Sequence, residues 1–429
     1  MFSIKRLPGL TLIIFIFMVA CGAPKTQLAL ISTPAIFRNG EIDPFYGMPE
    51  SGKATEFDIL YATDRRPADE EDPENFYSKD RGHILRLGKA RIQFDGKEMD
   101  WPQLRDQSIS DKRVSDPILA VTEIQEFGAL WSTLLWTDPN FNSEIARLPA
   151  LQFTEAINEK LAVSKQKDIF IYVPGFKVVF ENPLLVASEF WHYLGYDGVF
   201  LAYAWPSTPR LRAYASDLET ASYTTRNFRL LLSYLATETN VQRIHILSYS
   251  AGSRIVAKAL KELRLMHYEE DEAAVHGKLR IGLVIFTGAD IDLELFKAYG
   301  RDRILEIPER ITVYISASDT ALKWSRRFFG RTRLGTVGGL TASDLRFLDK
   351  RNDIIVINVT EAESAAAGNG HAYFRNSPWI SSDVLMSLKY GLAPAERGLI
   401  REKNDPIWKF PPNYVEVLKK TAIRFYSQP

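Results

Sequence analysis

The chain has 429 residues, 46% of them hydrophobic, enough for one large domain or two smaller ones with a sizeable core. Its 53 basic and 53 acidic residues cancel, so no global field draws nucleic acid or an anionic surface, and neither is expected as the main partner. A single cysteine, Cys21, excludes a disulfide framework, and no sustained heptad, fixed-period repeat or low-complexity tract is evident.

The first segment carries an address. Lys5 and Arg6 precede a nearly all-apolar run over residues 10–19, and Met18-Val19-Ala20-Cys21-Gly22 sets small residues around the cysteine. The run is short for a membrane span. The arrangement resembles a bacterial lipoprotein signal, with Met18 where leucine is usual. That resemblance implies a signal peptide over 1–20, lipidation at Cys21, and, because Gly22 is not aspartate, an outer-membrane lipoprotein facing the periplasm. The plainer alternative is an ordinary signal peptide with an incidental cysteine, or an uncleaved membrane helix. With no other cysteine, thiol catalysis and cysteine-ligated zinc are excluded from the mature domain.

Residues 21–55, rich in Pro, Gly and polar side chains without a clear period, read as a tether. Residues 57–62 read as a first strand, 84–94 alternate loosely as further strand, and 95–115 read as irregular. Residues 124–136 and 153–163 have helical spacing of apolar residues. A parallel rhythm then begins. Strands are expected at 169–173, 199–204, 244–247, 281–286, 311–316 and 354–359, with helices at 183–194, 216–238 and from Ser253 to beyond Leu260. Strands alternating with helices imply a mainly parallel sheet covered on both faces, with an N-terminal elaboration. The expected domain runs over 56–392, and 393–429 forms a C-terminal tail packed on it.

One junction carries chemistry. Ile244-His245-Ile246-Leu247 leads into Ser248-Tyr249-Ser250-Ala251-Gly252, and a helical pattern follows at once. A small-x-Ser-x-Gly turn between strand and helix lifts a serine hydroxyl above the end of a sheet. Ser248 stands where glycine is commoner. A serine hydroxyl needs a base, and the base needs an acid to orient it. For such elbows the chain order is serine, acid, histidine. Of six histidines, His83 and His192 precede the serine, His245 lies in its strand, and His267 and His276 come before the next strand. His371, in Gly370-His371-Ala372, alone follows the last strong strand. Asp319 directly follows the strand before it, with Asp290 as rival; either aspartate suits a helix cap, and Asp290 and Asp292 read as structural or pocket-wall residues.

Backbone N–H groups that hold the oxyanion of an acyl-transfer transition state are expected at Ala251 and Phe176, because Pro174 has no N–H and Gly175 permits close approach. Trp205 reads as a pocket residue or as core, Tyr249 as a pocket floor, and the Arg326-Arg327 pair as a solvated helix face or a greeting to an anionic substrate. No phosphate-cradling loop, metal-ligand spacing or dinucleotide fingerprint occurs, so no cofactor and no metal are expected.

Six segments together resemble a bacterial family of α/β-hydrolases of unknown function, esterase- or lipase-like. They are Tyr61-Ala62-Thr63-Asp64-Arg65, Tyr172-Val173-Pro174-Gly175-Phe176, Ala204-Trp205-Pro206-Ser207, Ser248-Tyr249-Ser250-Ala251-Gly252, Ser318-Asp319-Thr320-Ala321-Leu322 and Gly370-His371-Ala372-Tyr373-Phe374. The resemblance implies an α/β-hydrolase fold and a triad of Ser250, Asp319 and His371. The family usually has histidine where Pro174 stands, and often where Tyr249 stands. The expected function is hydrolysis of a small-molecule or lipid ester, or a related acyl bond, at the envelope. The alternative is a non-catalytic lipoprotein that keeps the fold for binding or scaffolding.

Overall fold

A computed structural model of the chain describes residues 26–72, 75–95, 98–134 and 142–426. Cys21 and the segment 1–20 lie outside the described residues. In chain order the first elements are β1 (Gln27–Ala29), β2 (Glu56–Pro67), β3 (Tyr77–Phe94), α1 (Trp101–Ile109), β4 (Ile118–Ala129), α2 (Ser143–Val163), β5 (Asp168–Val173) and α3 (Glu181–Tyr193). Then come β6 (Val199–Tyr203), α4 (Tyr214–Glu238), β7 (Arg243–Tyr249), α5 (Gly252–Met266), α6 (Glu272–Leu279), β8 (Ile281–Thr287), α7 (Leu293–Arg301) and β9 (Arg310–Ile315). The last are α8 (Thr320–Phe329), α9 (Ala342–Asp349), β10 (Ile354–Asn358), α10 (Tyr373–Asn376), α11 (Pro378–Tyr390), β11 (Trp408–Lys409) and α12 (Tyr414–Tyr426).

The strands form one sheet, ordered β1-β4-β3-β2-β6-β5-β7-β8-β9-β10-β11. From β2 to β11 every neighbouring pair is parallel. The first four strands pair antiparallel and extend the same sheet. This is the α/β-hydrolase architecture with its N-terminal elaboration built in as strands. β5 is buried along its whole length, as an apolar run covered on both faces should be. Ile169, Ile171 and Val173 point into one core with α4 and α5, while Phe170 and Tyr172 point into the other with α3 and α11. Among the described residues no helix is long and apolar enough to cross a membrane.

Three expectations need correction. The tether does not extend over 26–55. β1 pairs with β4, Ala35 N–H donates to Pro378 O at 3.0 Å, and Leu28, Leu30, Ile31, Ile36 and Phe37 are buried in the second core. An irregular segment can bury side chains one at a time, and periodicity is blind to that. Over 124–134 the expected helix is absent: β4 runs through Ala129, and only a short 3-10 turn follows at Trp131–Thr133. Register shifts between β3 and β4, at Leu87/Gly88 and Arg91/Ile92, break the alternation that would have marked a strand. The polar stretch 95–115 contains α1, whose Asp100 and Gln103 form a capping box and whose interior-facing residues are only Leu104 and Ser108. The C-terminal segment adds β11 to the sheet and lays Tyr414 and Leu418 of α12 into the second core.

The loops after β5, β7, β8, β9 and β10 leave the same end of the parallel sheet. They carry Phe176, Ser250, Asp290, Asp319 and His371 respectively. Ligands of open parallel sheets are found at this carboxyl end.

Candidate active site

Ser250 sits between β7 and α5 with φ of 52°, the left-handed region that non-glycine residues avoid. Holding it there costs about 1–2 kcal/mol, which the surrounding bonds must offset. Ser250 N–H donates to Thr287 O at 3.0 Å, and Asp290 N–H donates to Ser250 O at 3.2 Å. The turn needs a glycine two residues on. A Cβ at Gly252 would lie 2.5 Å from Pro174 O and 2.6 Å from Val173 O. The hydroxyl tolerated at Ser248 has its own partner, donating to Ile285 O at 3.2 Å.

His371 stands over this serine, with Nε2 2.9 Å from Ser250 Oγ and Nδ1 2.7 Å from Asp319 Oδ2. Because a carboxylate only accepts, Nδ1 carries the proton and Nε2 is left to accept from the serine hydroxyl. Asp319 also caps α8, its Oδ1 accepting from Leu322 N–H at 2.9 Å. The cap and the imidazole contact use different oxygens of one fully buried carboxylate. The histidine loop is tied to the aspartate loop through Asn369, whose carbonyl accepts from Thr320 N–H at 3.0 Å and Thr320 Oγ1 at 2.8 Å. Burial disfavours the charged imidazolium, but the charge of Asp319 and its hydrogen bond outweigh that, and Asp290 adds to them; the His371 pKa is raised above its ordinary 6.5.

The loop after β5 closes on the serine from the other side. A Cβ on Gly175 would lie 2.9 Å from Ser250 Cβ. Among the described residues, neither the Phe176 nor the Ala251 N–H donates to another backbone group outside the regular helices and strands. Trp205 does not line a pocket: it is fully buried in the core, and its indole N–H donates to Pro174 O at 2.9 Å. A large ring with one polar atom is best placed where that atom finds an acceptor, and here it fixes the turn that presents Phe176. Tyr249 is half-buried, its ring 4.9 Å from the His371 ring and 4.9 Å from Phe374, so it walls the imidazole.

Asp290 does not reach His371 as a hydrogen-bond partner. It accepts from Ser325 Oγ at 2.5 Å and from the Tyr214 hydroxyl, and it faces Arg333 Nε at 3.4 Å and Arg254 Nη2 at 3.9 Å. Tyr214, Arg254 and Arg333 were not legible as site residues. Arg254 alone left a signal, lying four residues after Ser250 in the first turn of α5. A second supporting residue, Tyr373, accepts from Gly288 N–H at 2.6 Å and donates to Tyr314 O at 3.0 Å, bracing the loop beside His371.

Comparison with curated proteins finds no match. Among solved structures, a candidate cell surface hydrolase from Lactobacillus plantarum WCFS1 shares 15% identity over 61% of this chain and 99% of its own, with a TM-score of 0.31. Residues 150–388, more than half of the chain, match the model of a family described as alpha/beta hydrolase of unknown function (DUF900). The matched region runs from within α2 to within α11, takes in every parallel strand from β5 to β10 and holds all the site residues above, and the chain belongs to this α/β-hydrolase family.

Proposed function

We propose that the protein is a serine hydrolase that cleaves ester or related acyl bonds through an acyl-enzyme, held at the bacterial envelope by a lipid on Cys21. Ser250 Oγ attacks the acyl carbon while His371 Nε2 takes its proton. The tetrahedral oxyanion is held by the N–H groups of Phe176 and Ala251, each worth about 3–4 kcal/mol in comparable sites. Collapse expels the alcohol, which leaves with the proton from His371. Water then attacks the acyl-enzyme, passing its proton to His371, and the acid departs as Ser250 recovers its hydrogen. Asp319 orients the imidazole and stabilises its charged form throughout.

The observation that carries this reading is the continuous chain Ser250 Oγ–His371 Nε2–Asp319 at 2.9 and 2.7 Å, beneath a strained serine turn. A fluorophosphonate probe tests it. The wild type is expected to be labelled at Ser250 and the Ser250→Ala variant to remain unlabelled. A well-folded wild type that resists the probe favours the scaffolding alternative instead. The anchor rests on Lys5, Arg6, the apolar run and Cys21. Labelled palmitate should be incorporated by the wild type and absent from Cys21→Ala.

A further inference from the structure

Beside Ser250 lies a buried charge cluster whose hydrogen bonds are incomplete. Arg333 is only 2% exposed, and Arg254 is largely covered. Both guanidinium groups stand over the ring of Phe329, at 4.4 and 5.6 Å. One carboxylate, Asp290, faces the pair, and its oxygens are already shared with Ser325 and Tyr214. Nε and Nη2 of both arginines are buried without a hydrogen-bond partner. Buried polar groups are almost always paired, and unpaired ones need a reason. Burial pulls the Arg333 guanidinium below its ordinary pKa; Asp290 opposes this, and Arg254 adds to it. Asp290 and Asp292 both favour the charge of Arg333, yet four guanidinium nitrogens of the pair still lack a hydrogen-bond partner.

The cluster adjoins the candidate nucleophile. Arg254 is four residues beyond Ser250, in the first turn of α5. Asp290 N–H donates to Ser250 O, and Tyr214 packs against Phe176 at 4.8 Å. Two segments that meet beside the cluster are cationic too. Residues 199–216 and 320–341 contain no Asp or Glu. They expose Arg210, Arg212, Lys323, Arg326, Arg327 and Arg331, and meet where Tyr214 contacts Phe328 at 6.4 Å and Phe329 at 5.9 Å. A protein of zero net charge thus concentrates positive charge on the segments around one side of this site.

We propose that the site takes esters bearing an anionic group, a carboxylate or a phosphate, seated between Arg254 and Arg333. This deepens the hydrolase reading and rests on it. The anion could belong to a small soluble ester or to an acidic lipid, and the test separates them. Hydrolysis of mono-4-nitrophenyl glutarate is compared with that of its uncharged counterpart 4-nitrophenyl valerate, and phosphatidylglycerol vesicles with phosphatidylcholine vesicles. The expected result is a kcat/KM preference of about tenfold or more for the anionic member of at least one pair. A preference in the first pair identifies a soluble ester, and one in the second an acidic lipid. Arg254→Gln and Arg333→Gln should collapse the ratio, and Arg333→Lys should restore part of it. Arg254, at the exposed end of the cluster, keeps the test open if the Arg333 variants misfold. Equal rates within both pairs in a wild type that labels at Ser250 overturn this inference alone. So does a variant that loses both members together with the ratio unchanged, the mark of a merely structural pair. Failure of the wild type to label overturns the hydrolase reading, and this one with it.

Discussion

Asp319 is the residue on which the proposed chemistry pivots. Replacing it with asparagine keeps the shape but offers an amide where a carboxylate fixed the imidazole. Asp319→Asn is expected to lower kcat by about 10⁴-fold, read with any ester the wild type cleaves. The same contact sets the pH dependence. The raised pKa favours the protonated imidazole in the folded chain, so His371 contributes stability below 6.5 that is lost as pH climbs through its folded value. Catalysis needs the neutral form, so kcat/KM should rise with pH along a limb centred above 6.5. In Asp319→Asn burial, the largest influence, is opposed only by the charge of Asp290, and that limb should move to lower pH. A limb that stays in place would show that Asp319 does not govern His371. Gly175 makes a third test. A methyl there would press on Ser250 Cβ from 2.9 Å, so Gly175→Ala should lower turnover by about 10²-fold while the melting temperature changes little. These residues were legible because each is fixed by local chemistry: chain order for Ser250, Asp319 and His371, and the missing N–H of Pro174 for the loop. Arg254, Arg333 and Tyr214 were not, because they meet Asp290 from two helices and a loop far apart in the chain and leave no mutual spacing in the sequence.

Among elements, the parallel strands read cleanly and the N-terminal ones did not. β5, β6 and β8 are unbroken apolar runs because both of their faces are covered. β4 is mostly half-exposed and shifts register against β3, so its pattern drifts between periods of 2 and 3.6. Residues 30–55 hold only two short 3-10 turns, yet they help fill the second core. Phe37 is fully buried there and stacks on Tyr193 at 5.9 Å. Phe37→Ala should therefore destabilise the fold by about 3–5 kcal/mol in urea titration. A change within about 0.5 kcal/mol, usual for exposed sites, would mean that the segment is loosely attached after all.

Over the whole molecule, composition misleads where distribution informs. Equal numbers of acids and bases argued against nucleic acid or an anionic surface as the main partner, yet exposed cations gather on two segments, 199–216 and 320–341, that hold no Asp or Glu. Steering by such a rim is screened by salt, with a Debye length of about 8–10 Å near physiological strength. If the anionic-ester reading holds, kcat/KM for mono-4-nitrophenyl glutarate should fall severalfold as NaCl rises toward about 1 M, while that for the valerate stays level. The antiparallel edge has a different consequence. Gln27 is already registered against Ala120, so a lipid on Cys21 would leave residues 22–26 as the entire leash. Fully stretched, they reach about 18 Å. A domain so moored could not roam the compartment: it would lie alongside the bilayer with its β1 border nearest, working on whatever drifts into that thin layer.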